Sequence, residues 1–219
     1  MSLERRYELL KYAKENNTFI IEDDYDSEFR TEGKPIPTLF SIDACEKVIY
    51  MNTFSKSLSP TIRISYMVLP VHLINLFFHK LHFYSCTISN FEQYTLAEFI
   101  RQGYFEKHIN RMRLYYMRKR RQVMEIIQRS SLVPYCEIRE NDSGLHFLLK
   151  LKILIPDHTI EEKLLEHGIR ILALSDYDLL HEENKAHYFI INYSNLNVEK
   201  IKHAFGVIET ILKEETVKQ

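Results

Sequence analysis

Residues Lys47 to Pro70 read KVIYMNTFSKSLSPTIRISYMVLP. The run Val48-Ile49-Tyr50-Met51 is β-branched and aromatic, it breaks into a short polar segment carrying one lysine, and a second extended run follows from Ile62 to Leu69. That pattern places Lys56 on a turn between two strands. Thr53, Ser55, Ser57 and Ser59 crowd around it and Arg63 follows shortly after. An amine among hydroxyls and one guanidinium suits a phosphorylated aldehyde, because the amine condenses with the carbonyl while the other groups bind phosphate. On these residues alone, a solvated loop with an ordinary surface lysine is the other reading.

Upstream, Leu3 to Asn16 places Leu3, Tyr7, Leu10 and Tyr12 or Ala13 at helical spacing, predicting an amphipathic helix stopped at Asn16-Asn17. Thr18 to Ile21 is a short apolar run, predicting a strand buried on both faces, and it ends in Glu22-Asp23-Asp24-Tyr25-Asp26. Acids after a buried strand attract interest because ligands gather at the carboxyl ends of strands in open α/β sheets. Residues 30–44 carry Gly33, Pro35 and Pro37 and read as a loop packing Ile36, Leu39 and Phe40.

Downstream, helices are predicted over Val71–Phe83, Asn90–Gln102 with Gly103 as the stop, and Tyr104–Arg129. The last carries Arg111, Arg113, Arg118, Lys119, Arg120 and Arg121 among Tyr115 and Tyr116, and reads as a solvated or interface-forming helix rather than a nucleic-acid patch. Cys136–Arg139 and Leu145–Leu151 alternate as antiparallel strands joined by a turn at Asn141-Asp142-Ser143-Gly144. A helix over Thr159–His167 closed by Gly168, strands over Arg170–Leu174 and His187–Tyr193, and a helix over Val198–Glu214 complete the chain.

The chain has 219 residues, 45% hydrophobic and 27% charged, with net charge −1. That balance argues against a dedicated nucleic-acid or membrane-surface protein. Three separated cysteines, Cys45, Cys86 and Cys136, suggest neither a disulfide framework nor a cysteine zinc site and fit a reducing cytoplasm. No apolar run reaches the roughly 20 residues that span a bilayer. The ten histidines show no metal-ligand spacing. With five glycines and no G-x-G-x-x-G or G-K-[ST] pattern, any phosphate must be held without a glycine-rich cradle.

Taken together, IIEDDYDSEFR, PIPTLFSID and VIYMNTFSKSLSPTIRISYMVLP resemble the aminotransferase-like domain of MocR-type (GntR family) transcriptional regulators, within the fold-type-I, class I/II pyridoxal-5′-phosphate (PLP) aminotransferases. The resemblance continues through GYFEKHINRMRLYYMRKRR and SGLHFLL and, more weakly, GIRILALSDY. It implies that Lys56 forms the Schiff base with PLP, that Asp23 pairs with the pyridinium nitrogen, and that Tyr25 bonds the ring's 3-oxygen. It further implies that Thr53, Ser55 and Arg63 hold the phosphate. His146 stays unassigned; Arg170 could lie at the site entrance or on the surface; Arg113 and Tyr116 read as structural.

The resemblance also sets limits. It starts partway through the large PLP domain, so the chain is expected to be a C-terminal fragment. Its earlier strands, the helix N-terminus that holds the phosphate and the ring that stacks on PLP lie outside it, as does the winged-helix domain through which such regulators bind DNA. The expected architecture is α/β. An incomplete, mostly parallel PLP-transferase sheet with helices occupies residues 1–103, a connecting helix 104–130, and a small α/β sandwich 131–219. Uncovered edges predict a chain that either pairs with another copy or is only partly ordered, and the part of the domain outside it predicts weak or no PLP binding by the chain alone. The strand HYFIINYSNLN carries no arginine to grip a substrate carboxylate, which weakens transamination of ordinary amino acids. The expected function is sensing of an amine or amino-acid effector; an aminotransferase and a dimerisation module are the alternatives.

Overall fold

The computed structural model describes residues 1–29, 37–139, 144–152, 155–177, 187–194 and 196–217. The chain divides into two compact units, Met1–Met112 and Arg113–Gln219.

In the first unit, α1 (Leu3–Glu15) begins at Ser2, whose hydroxyl accepts the Arg5 N–H at 3.3 Å. A three-stranded sheet of order β1-β2-β3 follows, built from β1 (Ile20–Asp23), β2 (Val48–Thr53) and β3 (Ser65–Val68). β1 runs parallel to β2 with Asp23 beside Met51, and β2 runs antiparallel to β3 with Thr53 beside Ser65. Successive side chains point to opposite faces. Asp23, Met51, Thr53 and Ser65 therefore share one face, and Glu22, Val48, Tyr50, Asn52 and Tyr66 the other.

The second face is the covered one. Val48, Phe29 and Leu39 are buried, and Glu22 ties the face together. Its carboxylate accepts the N–H groups of Leu39 and Phe40 at 2.8 and 2.9 Å and pairs with Arg6 of α1 at 3.3 Å. Glu22 thereby holds the first turn of α2 (Leu39–Ile42), which Thr38 also caps. That one-turn helix replaces the loop expected there; residues 30–36 of the loop, Gly33, Pro35 and Ile36 included, lie outside the described residues.

The expectation that Thr18–Ile21 is buried on both faces is not met, since Ile21 is 66% exposed. An apolar run gives no period from which to tell one covered face from two. β3 is also shorter than the predicted Ile62–Leu69. The Ser55 hydroxyl takes the Ile62 carbonyl, while the Phe54 N–H and Thr53 hydroxyl take that of Ile64, so this stretch is spent on the lysine segment instead of the ladder.

Three helices follow: α4 (Val71–Leu81), α5 (Asn90–Arg101) and α6 (Tyr104–Arg129), the last crossing into the second unit. Gly103 adopts φ +70° after α5, a left-handed conformation that suits glycine at a helix stop. Although α4 is apolar, none of its residues is buried.

The second unit holds most of the core. Its antiparallel sheet has order β4-β5-β7-β6, from β4 (Cys136–Arg139), β5 (His146–Leu151), β6 (Leu172–Ala173) and β7 (Tyr188–Asn192). Alternation buries Phe147, Leu149 and Leu151 of β5, and Ile160 and Leu164 of α7 (Asp157–Glu166), Ile201 and Phe205 of α8 (Val198–Val217), and Val123 and Ile127 of the C-terminal half of α6 are buried in the same unit. Each such burial contributes about 1.5–3 kcal/mol. The strand expected over Arg170–Leu174 is reduced to β6 and passes into a tight turn, Leu174–Tyr177. Of the turn expected at 141–144, only Gly144 falls among the described residues; it adopts φ +87°, and its carbonyl accepts the buried Tyr193 hydroxyl at 2.9 Å.

Candidate functional site

The candidate site lies on the open face of the first sheet. Where β2 ends, Thr53 takes extended backbone (φ −134°, ψ 141°) and its hydroxyl accepts the Ser55 N–H at 3.2 Å, starting α3 (Phe54–Ser57). Lys56 therefore sits on a single helical turn between β2 and β3, where the sequence pattern alone predicts a simple turn. The Leu58 N–H closes that turn on the Phe54 carbonyl at 2.8 Å, and buried Ser57 faces inward, its hydroxyl 3.5 Å from the Thr53 carbonyl. Among the described residues no carboxylate or carbonyl holds the Lys56 amine.

A cavity of about 340 Å³ opens beside Lys56, lined by Tyr25, Thr53, Ser55, Lys56, Arg63, Ile64 and Ser65. Arg63 Nη1 donates to Ser55 Oγ at 3.4 Å, and Ser55 in turn donates to the Ile62 carbonyl at 2.7 Å. A guanidinium and a hydroxyl thus meet within reach of an amine. The Thr53 hydroxyl is engaged by its own segment, donating to the Ile64 carbonyl at 3.3 Å while capping α3, and serves as wall.

Tyr25 is 44% exposed at the cavity edge. The negative charge of Asp26 first, then burial and the charge of Asp23, raise its phenol above the ordinary tyrosine value, which keeps it protonated and able to donate near neutral pH. Asp23 ends β1 on the same face; it does not line the cavity, but its field reaches Tyr25. His146 and exposed Arg170 belong to the second unit, the former opening β5 opposite Asn192. Arg113 and half-buried Tyr116 lie on α6, both with bonded or electrostatic partners.

A polar cluster on the covered face was not expected. Asn52, 5% exposed, donates through Nδ2 to the Tyr50 hydroxyl at 3.0 Å and to Glu28 Oε1 at 3.2 Å, and its Oδ1 accepts the Thr53 N–H at 2.5 Å. The Tyr50 hydroxyl donates to Asp24 at 3.0 Å, and Asp24 also accepts from Ser27 at 2.8 Å. Burial drives the Tyr50 phenol far above its usual value and raises the Tyr66 phenol and the Glu28 carboxyl. A polar residue at an inward position of an alternating strand, Val48-x-Tyr50-x-Asn52, was the available signal. Ser65 in the cavity wall carried none, standing in a run that reads as plain strand.

The family described as aminotransferase class I and II matches residues 1–208. Among curated sequences, the chain is 47% identical over 175 residues to an uncharacterised HTH-type transcriptional regulator, YdeL, of Bacillus subtilis, covering 80% of this chain and 38% of that protein. It is 34% identical over 175 residues to the probable rhizopine catabolism regulatory protein MocR of Rhizobium meliloti, covering 80% and 35%. In structure it is similar to the kynurenine aminotransferase of Pyrococcus horikoshii, with TM-score 0.82 and 25% identity over 98% of this chain and 52% of the enzyme. A multiple substrate aminotransferase of Thermococcus profundus gives TM-score 0.82 at 26% identity, covering 100% and 54%. The chain spans half or less of the length of the regulators it matches. It is an α/β protein with part of the fold-type-I architecture, and it belongs to the aminotransferase class I and II family.

Proposed function

We propose that this chain is the effector-sensing, PLP-binding part of a MocR-type regulator, in which an amine or amino acid competes with Lys56 for the cofactor. The observation that carries the reading is the cavity that gathers Lys56 with Arg63, Ser55, Thr53 and Tyr25. These groups fit PLP by their chemistry: a primary amine for the aldehyde, a guanidinium with an adjacent hydroxyl for the phosphate dianion, and a protonated phenol for the ring oxygen. When bound, PLP supplies a carbonyl that condenses reversibly with primary amines and a ring that withdraws electrons.

The chain's own residues then divide the work. The Arg63 guanidinium donates to Ser55 and orients it. Ser55, which donates to the Ile62 carbonyl, would give up that bond to hold the phosphate. Tyr25 holds its proton at Oη, and Asp23, on the same face, supplies the negative charge that favours a protonated ring nitrogen. The high identity to regulators favours sensing over transamination.

In the full-length protein, DNA is contacted by a winged-helix domain elsewhere in the chain, and the signal travels as a difference in effector affinity between two conformations. Pairing of two copies is supported by the exposed apolar residues of α4 and α5, among them Leu76, Phe78, Phe91 and Tyr94. A cytoplasmic setting follows from that role; no described helix is long and apolar enough to cross a membrane.

Visible absorbance of the chain with PLP, followed during addition of amines and amino acids, tests the reading. Sensing predicts spectral change with PLP recovered unaltered. Stoichiometric recovery of pyridoxamine 5′-phosphate would assign an aminotransferase instead.

A further inference from the structure

We propose that Asn52 is a positioning residue that sets the spacing between Tyr25 and Lys56 from the opposite face of the sheet; this rests on the reading of Lys56 given above. Three stretches line the cavity, and Arg63, Ile64 and Ser65 come from the one that leads into β3. Tyr25 comes from the loop after β1, and Thr53, Ser55 and Lys56 come from the end of β2 and from α3. Nothing in the cavity wall bonds Tyr25 to the lysine stretch among the hydrogen bonds of the described residues. The start of the acidic loop is tied to β2 by the Asp24 N–H on the Met51 carbonyl at 2.9 Å, and beneath the sheet Asn52 ties its far end, at Glu28.

Its Nδ2 reaches Glu28 directly and Asp24 through the Tyr50 hydroxyl, so the acidic loop is held on both sides of Tyr25. Its Oδ1 takes the Thr53 N–H, the amide immediately ahead of the turn that carries Lys56. One side chain therefore fixes the two segments that must present a phenol and an amine to the same ligand. A buried amide with both ends bonded has one orientation, whereas an apolar residue there would release the Glu28 end of the acidic loop while its Asp24 end stays held by Met51 and Tyr50. Glu28 would then lose its amide donor in a sheltered place and move toward water, drawing the segment that carries Tyr25 with it, while Asp24 keeps the Tyr50 and Ser27 hydroxyls.

The test uses PLP with sodium borohydride, which reduces the carbon–nitrogen double bond between an aldehyde and an amine, and peptide mass spectrometry of the intact chain after labelling. The readout is labelling of Lys56 relative to Lys80, an exposed lysine on α4. Asn52→Ala is expected to lower that ratio about tenfold, the scale of a sub-ångström to ångström misplacement of reacting groups. Val48→Ala is the structural control: fully buried, on the same face of the same strand, and outside the cluster. It is expected to keep the ratio while lowering stability.

An unchanged ratio in Asn52→Ala, or an equal fall in Val48→Ala, overturns the proposal while leaving Lys56 as the cofactor residue. No preference for Lys56 over Lys80 in the unmutated chain overturns the underlying reading, and the inference with it. Circular dichroism confirms folding of each variant; should Asn52→Ala not fold, Asn52→Ser, too short to reach both Tyr50 and Glu28, is read in the same way.

Discussion

Glu22→Leu tests how β1 is held at the edge of the first unit. Glu22 and Arg6 keep only 12% and 16% of their side-chain surface exposed, and the carboxylate also accepts the Leu39 and Phe40 N–H groups at 2.8 and 2.9 Å. Removing the carboxylate strands a guanidinium and two amides in a sheltered place. A broken buried ion pair costs about 3–5 kcal/mol; with part of Arg6 still reaching water, about 3 kcal/mol is expected. Hydrogen exchange by mass spectrometry reads this locally, since about 1.4 kcal/mol corresponds to a tenfold change. Peptides covering β1, α2 and the start of β2 should lose roughly a hundredfold in protection where exchange runs through opening of the unit. The double variant Arg6→Met with Glu22→Leu should recover part of the loss, because no charge is then left unpaired. Exchange in β1 and α2 that is unchanged in Glu22→Leu, or a double variant worse than the single, would refute the reasoning.

Burial raises the Glu28 carboxyl, so the native state binds that proton more tightly than the unfolded chain; the stability it contributes is full below about pH 4.5 and is lost as pH rises through the native value. Glu28→Gln should therefore melt higher than the unmutated chain at pH 7, with the difference closing as the pH falls to 4.5; equal melting across that range would remove Glu28 from the buried cluster. Tyr25, Tyr50, Tyr66 and Tyr116 all have raised phenols, and the chain contains no tryptophan. Near-ultraviolet titration should show these tyrosines ionising later in the folded than in the urea-unfolded chain, with stability lost as pH climbs past 10, and Tyr50→Phe should remove the latest of these four components. In the second unit, Phe147, 1% exposed and stacked on Tyr193 at 6.5 Å, should cost about 3–5 kcal/mol when replaced by alanine, read as a shifted urea midpoint.

Much of this was legible in the sequence, and for identifiable reasons. Helices were readable because their apolar spacing is long and their stops are marked, as by Gly103 and by Gly168 at φ +72°. The lysine segment was readable because hydroxyls and an arginine are dense there. Strand faces were not: Thr18–Ile21 is apolar throughout, and only the pairing of Asp23 with Met51 and of Thr53 with Ser65 shows which side is covered. The α3 turn depends on the Ser55 and Thr53 hydroxyls donating to the Ile62 and Ile64 carbonyls, bonds that no local pattern encodes. The Asn52 cluster escaped for the same reason, since its members come from separate strands and a loop and meet only through register.

The central claim is that Lys56 is the amine to which PLP bonds. Incubation of the chain with PLP, reduction with borohydride and mapping of the modified peptides tests it most directly. The phosphopyridoxyl group is expected on Lys56 at the lowest PLP concentrations, and Lys56→Ala is expected to abolish this early labelling. Label spread evenly over surface lysines such as Lys80, with the same total uptake in Lys56→Ala, would contradict it.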